Sequence, residues 1–174
     1  KDFDGCIIGS EKIDKKIIDC CPKLKAIVRF GVGLDNIDLD YAKKKNIIVK
    51  NVVSKSIGEA VAVHSISLIL ALTQNLKLHI HDSKKGRWLR HLNLFSKNTS
   101  VGVVGAGKIG AKVISYLITL GFRVNYFSRK KKPHLDEIGA NFYKNIDNLL
   151  IKSDIITLHL PSERNSEPLF DKKN

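Results

Sequence analysis

Gly105, Gly107 and Gly110 stand in the spacing G-x-G-x-x-G, inside the stretch SVGVVGAGKIGAKVISYLITLGFRVNYFSR from Ser100 to Arg129. Glycines do no covalent chemistry, but at this spacing they bind a diphosphate through the backbone. Gly105 allows a sharp turn out of a strand, Gly107 lets a pyrophosphate approach, and Gly110 lets the following helix lie close on the sheet. The amides of Lys108, Ile109 and Gly110 then open a helix whose first-turn N–H groups are unpaired and whose dipole favours an anion. The chemistry expected here is the binding of a dinucleotide.

About twenty positions further on, NAD-binding folds carry an acidic residue that bonds the ribose 2′-hydroxyl. This chain has Ser128 there, followed by Arg129, Lys130, Lys131 and Lys132. A small hydroxyl beside a guanidinium suits a 2′-phosphate through charge-assisted bonds. The expected cofactor is therefore NADP, with NAD as the alternative, and Ser128, Arg129 and Lys130 join the candidate cofactor-binding residues.

A second candidate is the run RFGVGLDNID from Arg29 to Asp38. Gly31 and Gly33 flank Val32 directly after a strand, which points backbone N–H groups out of a sheet's carboxyl end as a cradle for a small anion. Asp35, Asn36 and Asp38 are cap candidates for the helix that follows.

The elements that must position these groups alternate strand and helix. Phe3 to Ile8, Leu24 to Phe30 and Ile47 to Val52 read as strands, with helices over Glu11 to Cys20 and Leu39 to Lys45. Around the glycine loop, Val101, Val103 and Val104 precede the turn, while Val113, Ile114, Leu117, Ile118 and Leu120 follow it at helical spacing. Asn141 to Tyr143 and Asp154 to Leu160 supply further strands, and Ile146 to Ile151 a helix. Strands so spaced wind a mostly parallel sheet. Ile57 to Leu72 reads as a buried helix, with Ala60, Val61, His64, Ser65, Leu68, Ala71 and Leu72 on the buried side. His64 reads as a structural residue there. The fold class is α/β, and the domain boundary falls near Ser54, giving a partial first domain over 1–53 and a dinucleotide domain over 54–174.

The 174 residues have 43% hydrophobic and 27% charged content, ordinary for a globular protein. No apolar run is read as a membrane span. The net charge of +13 raises nucleic-acid binding, but only Arg129 to Lys132 is a dense basic run and no aromatics interleave it, so nucleic acid is not expected as a partner. Cys6, Cys20 and Cys21 form no C-x-x-C pair. Neither a metal site nor a disulfide framework is expected, which fits a cytoplasmic location. The sequence starts at Lys1 and contains no Met, and an incomplete chain is the expectation.

Five segments in order carry a resemblance: LKAIVRFGVGLDNID, then IIVKNV, GEAVAVHSISLILALTQNL, GVVGAGKIG and KSDIITLHLP. The chain resembles the D-isomer-specific 2-hydroxyacid dehydrogenases, the group containing D-3-phosphoglycerate dehydrogenase and glyoxylate/hydroxypyruvate reductase. The resemblance implies a Rossmann-type doubly wound sheet plus part of a smaller flavodoxin-like substrate domain. It implies hydride transfer between the cofactor and a small 2-keto or 2-hydroxy acid, with Val32 and Gly33 holding the substrate carboxylate. His159, Leu160 and Pro161 match the stretch lining the adenine side of the cofactor, and Ser166 a nearby hydroxyl position. Val63 departs from the Glu that many members carry. Residues 57–95 would pack against a second subunit in a homodimer. The family's catalytic Arg, Glu and His would fall after Asn174, so no catalytic group is assigned in this chain. The alternative is a non-catalytic dinucleotide-binding regulator of the same fold.

Overall fold

A computed structural model describes residues 2–52, 55–161 and 169. Ser54, the expected boundary, and Ser166, an expected cofactor contact, lie outside the described residues. The chain separates into two compact units, breaking between Ile57 and Gly58 and again between Leu160 and Pro161.

In the first unit β1 (Gly5–Ile8), β2 (Ala26–Arg29) and β3 (Ile48–Asn51) form a parallel sheet in sequence order. Two helices link them, α1 (Lys15–Asp19) and α2 (Leu39–Lys44). The first is shorter than expected because Asp14 caps it, accepting from the Ile17 amide at 3.1 Å, while Ile13 bridges to Ile37 in extended form. Of the three acidic or amide cap candidates, Asp38 takes the role and accepts from the Tyr41 amide. Ile13, Ile18, Leu24, Ile27, Ile37 and Ile47 make the core on one face.

The break falls inside the first turn of α3 (Lys55–Thr73), and the second unit continues through α4 (Leu76–Lys84) and a short 3₁₀ turn into β4 (Ser100–Val104). Helix α5 (Lys108–Thr119), β5 (Arg123–Phe127), α6 (Pro133–Glu137), β6 (Asn141–Tyr143), α7 (Ile146–Ile151) and β7 (Ile155–Leu158) follow. The four strands are parallel in the order β6-β5-β4-β7. Every residue of β4 is buried, as a central strand covered on both faces requires.

Helix α3 corrects the expected facing. Ala62, Ile66, Ile69 and Thr73 are the buried set, whereas Val61, Leu68 and Leu72 are 41%, 54% and 65% exposed and His64 is also exposed. The helix is apolar all round, so its composition offers two stripes, and the sheet core takes one of them. By length and composition Ser56–Thr73 could also cross a membrane, against the expectation that no run of the chain reaches that character. In the structure 22% of that stretch is buried, with Ala62, Ile66 and Ile69 in one core cluster with Val113 and Leu117 of the helix after β4 and Val124 of β5.

At the amino end of β4 a polar clasp joins it to β7. The Ser100 amide and hydroxyl both donate to Asp154 Oδ2, at 2.7 and 2.8 Å, and the Asp154 amide donates back to the Ser100 carbonyl. The Ser100 amide, then its hydroxyl, hold the Asp154 carboxyl below its ordinary range against a smaller opposing effect of burial. A carboxyl whose folded pKa is depressed stabilises fully above its unfolded pKa and loses that contribution as pH falls through the folded value. Hydrogen bonds to a charged group contribute about 1.5–3 kcal/mol, less at an exposed site. Asp154→Asn should therefore lower Tm at neutral pH by about 2–4 °C, with the gap to wild type closing in acid. Thermal melts of both proteins across the acid range check this.

Candidate functional site

The connection from β6 to β7 passes back over β5 and β4, so the strand order reverses between the neighbours β4 and β7. In an open parallel sheet that is where a crevice forms at the carboxyl ends of the strands. Gly105 leaves β4 there and His159 leaves β7. The Gly105 amide donates to the Phe127 carbonyl at 2.9 Å and the His159 amide to the Val104 carbonyl at 2.8 Å, so the ends of β4, β5 and β7 are laced together.

The three glycines differ in what surrounds them. Gly105 has φ +100, and a Cβ on it would lie 2.6 Å from the His159 carbonyl oxygen. A Cβ on Gly110 would meet the Gly105 carbonyl oxygen and lie 3.4 Å from the His159 Cβ, so α5 rests directly on the turn. Gly107 differs, because a Cβ there would find nothing within 4 Å. The outer surface of the turn is open just where a diphosphate would need to approach the backbone. Gly107 caps α5 without a side chain, and the helix's hydrogen bonding begins with the Ala111 amide donating to the Gly107 carbonyl at 2.9 Å. The amides of Lys108, Ile109 and Gly110 are thus the first-turn donors at the open end of a twelve-residue helix.

His159 stands behind this turn with Nε2 at 3.0 Å from Thr157 Oγ1. Burial lowers its pKa below the usual 6.5, favouring the neutral imidazole. Leu158 and Leu160 flank it, 52% and 46% exposed, an apolar strip of the sort a flat base can rest against. Pro161 is exposed and lies beyond the break after Leu160.

At the end of β5 the structure sorts the basic run. Ser128 Oγ donates to the Lys130 carbonyl at 2.6 Å. Lys131 pairs with Asp136 at 3.1 Å, and Tyr126 Oη donates to the same carboxylate at 2.8 Å while accepting from the Lys132 amide. Burial would raise the Asp136 pKa, but those two donors outweigh it and hold the carboxyl low. Arg129 and Lys130 are exposed and, among the described residues, hold no ion pair. Lys132 commits only its backbone amide, so among the described residues three of the four cations, Arg129 and Lys130 with it, remain without an ion pair at the end of β5.

The glycine turn, Ser128 to Lys130 and His159 to Leu160 therefore gather at one end of one sheet. Val32 and Gly33 lie in the other unit, just after β2, with the Asn51 side chain donating to the Val32 carbonyl. Sequence reasoning passed over Tyr126, which pins the basic turn, and Gly102, where a Cβ would lie 2.7 Å from Leu149, Ser153 and Ile156 side-chain atoms. A glycine in the middle of a β-branched strand is the signal that was available for it.

Residues 66–174 match the D-isomer specific 2-hydroxyacid dehydrogenase, NAD binding domain, family. The chain belongs to this family. The chain is 30% identical over 184 residues to glyoxylate reductase of Thermococcus kodakarensis, covering 99% of itself and 55% of that protein. It is 34% identical over 167 residues to D-3-phosphoglycerate dehydrogenase of Methanocaldococcus jannaschii, covering 92% and 31% respectively. Among solved structures, D-lactate dehydrogenase of Aquifex aeolicus, complexed with NAD and lactic acid, superposes with a TM-score of 0.84 at 33% identity, over 92% of this chain and 49% of that one. The chain thus spans about half the length of the glyoxylate reductase, and less of the phosphoglycerate dehydrogenase. Its second unit is Rossmann-like, and the glycine turn falls inside the region that matches the family's NAD binding domain.

Proposed function

We propose that this chain carries the cofactor-binding and carboxylate-positioning parts of an NADP(H)-dependent reductase of short 2-keto acids such as glyoxylate or hydroxypyruvate, or of a 3-phosphoglycerate-like acid. The observation that carries the reading is the contrast within the glycine turn. Gly105 and Gly110 are packed too tightly for a side chain, and Gly107 between them faces open space. That is a cradle shaped for a diphosphate, in a family of dehydrogenases. The cofactor, when bound, supplies the hydride. The chain's own part is to grip the diphosphate with the α5 amides, to meet a 2′-phosphate with Arg129 and Lys130, and to receive the substrate carboxylate on the Val32 and Gly33 amides. Glyoxylate- or hydroxypyruvate-dependent oxidation of NADPH by the full-length protein tests it. Dinucleotide binding without oxidation by any 2-keto acid would remove it.

The same reading includes a homodimer built on residues 57–95. Val61, Leu68 and Leu72 of α3 form one exposed apolar stripe, and Trp88, Leu92 and Phe95 beyond α4 are 93%, 94% and 78% exposed. Single exposed apolar residues are ordinary, but six in one region favour a protein surface as their cover. The arm that carries them is held in shape. Asp82, at the end of α4, accepts from His91 at 2.7 Å and from Arg87. Leu68→Asp with Leu72→Asp should shift the full-length protein from dimer to monomer in sedimentation velocity, with its circular dichroism retained. A reducing cytoplasm is the proposed location, since Cys6, Cys20 and Cys21 are free thiols. Nucleic acid is not a proposed partner, as the basic run at 129–132 is divided between an ion pair and the dinucleotide site.

A further inference from the structure

Arg29 is the last residue of β2 and is partly buried, yet among the described residues no carboxylate pairs with it. What its guanidinium touches is backbone. Nε donates to the Gly9 carbonyl at 3.2 Å, just past the end of β1. The same carbonyl accepts from Asn36 Nδ2 at 3.3 Å, and Asn36 also donates to the Glu11 carbonyl at 2.7 Å. Gly9 is thus a junction between the ends of β1 and β2 and the loop that follows β2.

The other side of the guanidinium meets that loop. A Cβ on Gly31 would meet Arg29 Nη1 and lie 2.6 Å from Cζ, and one on Gly33 would lie 3.9 Å from Nη1. Gly31 has φ +150, a conformation that side chains rarely adopt, and the loop brings its backbone close against the guanidinium. On the far side, Asn51 donates to the Val32 carbonyl. The Val32 and Gly33 amides are therefore aimed by two supports, Arg29 beneath Gly31 and Asn51 at Val32. A planar guanidinium can serve as a floor in this way, whereas an ammonium on a flexible stem cannot.

We infer that Arg29 is a positioning residue for the carboxylate-holding loop, setting the direction of the Val32 and Gly33 amides through Gly9 and Gly31. The inference rests on the proposed 2-keto acid reductase reading. A group that fixes a carboxylate cradle affects ground state and transition state alike, so its loss raises KM and spares kcat.

The test uses full-length wild type, Arg29→Gln and Arg29→Lys, with glyoxylate as substrate and oxamate as a non-reacting 2-keto acid mimic titrated into the protein with reduced cofactor bound. Both variants should raise glyoxylate KM and oxamate Kd about tenfold to a hundredfold, as a misaimed cradle would, with kcat and cofactor affinity within twofold of wild type. Restoration of wild-type KM by lysine would overturn the inference, because charge alone would then suffice. So would an unchanged KM and oxamate Kd in Arg29→Gln. Should Arg29→Gln lose its circular dichroism, Arg29→Lys and the oxamate titration decide by the same values. Wild type that binds NADPH yet turns over no 2-keto acid marks failure of the underlying reading, a result separable from any of these.

Discussion

Gly110→Ala is expected to cost about 3 kcal/mol, the upper end for overpacking, since the new methyl would meet the Gly105 carbonyl rather than a yielding side chain. For a chain of 174 residues that is a fall in Tm of about 6–12 °C. Gly107→Ala is expected to do the reverse. Its φ of −78 suits alanine and its Cβ would meet nothing within 4 Å, so the free protein should be as stable as wild type or slightly more so. The methyl would instead stand where the diphosphate approaches. Losing even one amide bond to an ionised oxygen costs about 1.5–3 kcal/mol, about tenfold to a hundredfold in dinucleotide affinity. Thermal melts with and without NADPH separate the two: Gly110→Ala melts low in both, and Gly107→Ala loses only the rise in Tm that cofactor confers.

The second large effect concerns cofactor choice. Arg129 and Lys130 are exposed and without an ion pair among the described residues, whereas Lys131 is bound to Asp136. Ser128 puts no charge near a 2′-phosphate, and its hydroxyl already bridges to the Lys130 carbonyl. Ser128→Asp with Arg129→Ala adds a repelling carboxylate and removes a donor. The ratio of kcat/KM for NADPH to that for NADH should fall about tenfold to a hundredfold. Lys131→Ala should leave the ratio unchanged while lowering stability slightly, because its ion pair is exposed. A wild-type preference for NADH would mean that the basic turn is surface and no more.

The glycine turn was legible because Gly105 and Gly110 answer local backbone requirements, and Gly107 stands between them at a spacing that a linear sequence can record. Strand and helix alternation was legible for the same reason, since period and turn residues are local. The facing of α3 was not. Its residues are apolar on every side, and only the folded core that holds Val113 and Leu117 of α5 and Val124 of β5 selects Ala62, Ile66 and Ile69 as the buried set. The clasp between Ser100 and Asp154 spans 54 residues, and no local pattern announces it. Lysines 130 and 131 are adjacent and alike as letters. Asp136, reached through a helix start, makes one an ion-pair partner and leaves the other to solvent. Arg29 fell inside a motif that was read for its glycines, and its part emerged only when the backbone of Gly31 was placed against it.

The most direct test of the reductase reading is isotope transfer. The full-length protein, given glyoxylate and NADPH carrying deuterium at nicotinamide C4, should yield glycolate with deuterium at C2, at a rate that Gly107→Ala diminishes through weaker cofactor binding. Intact NADPH binding with no deuterium in glycolate, and none transferred to hydroxypyruvate or any other 2-keto acid, would contradict it and leave a dinucleotide-binding protein that performs no reduction.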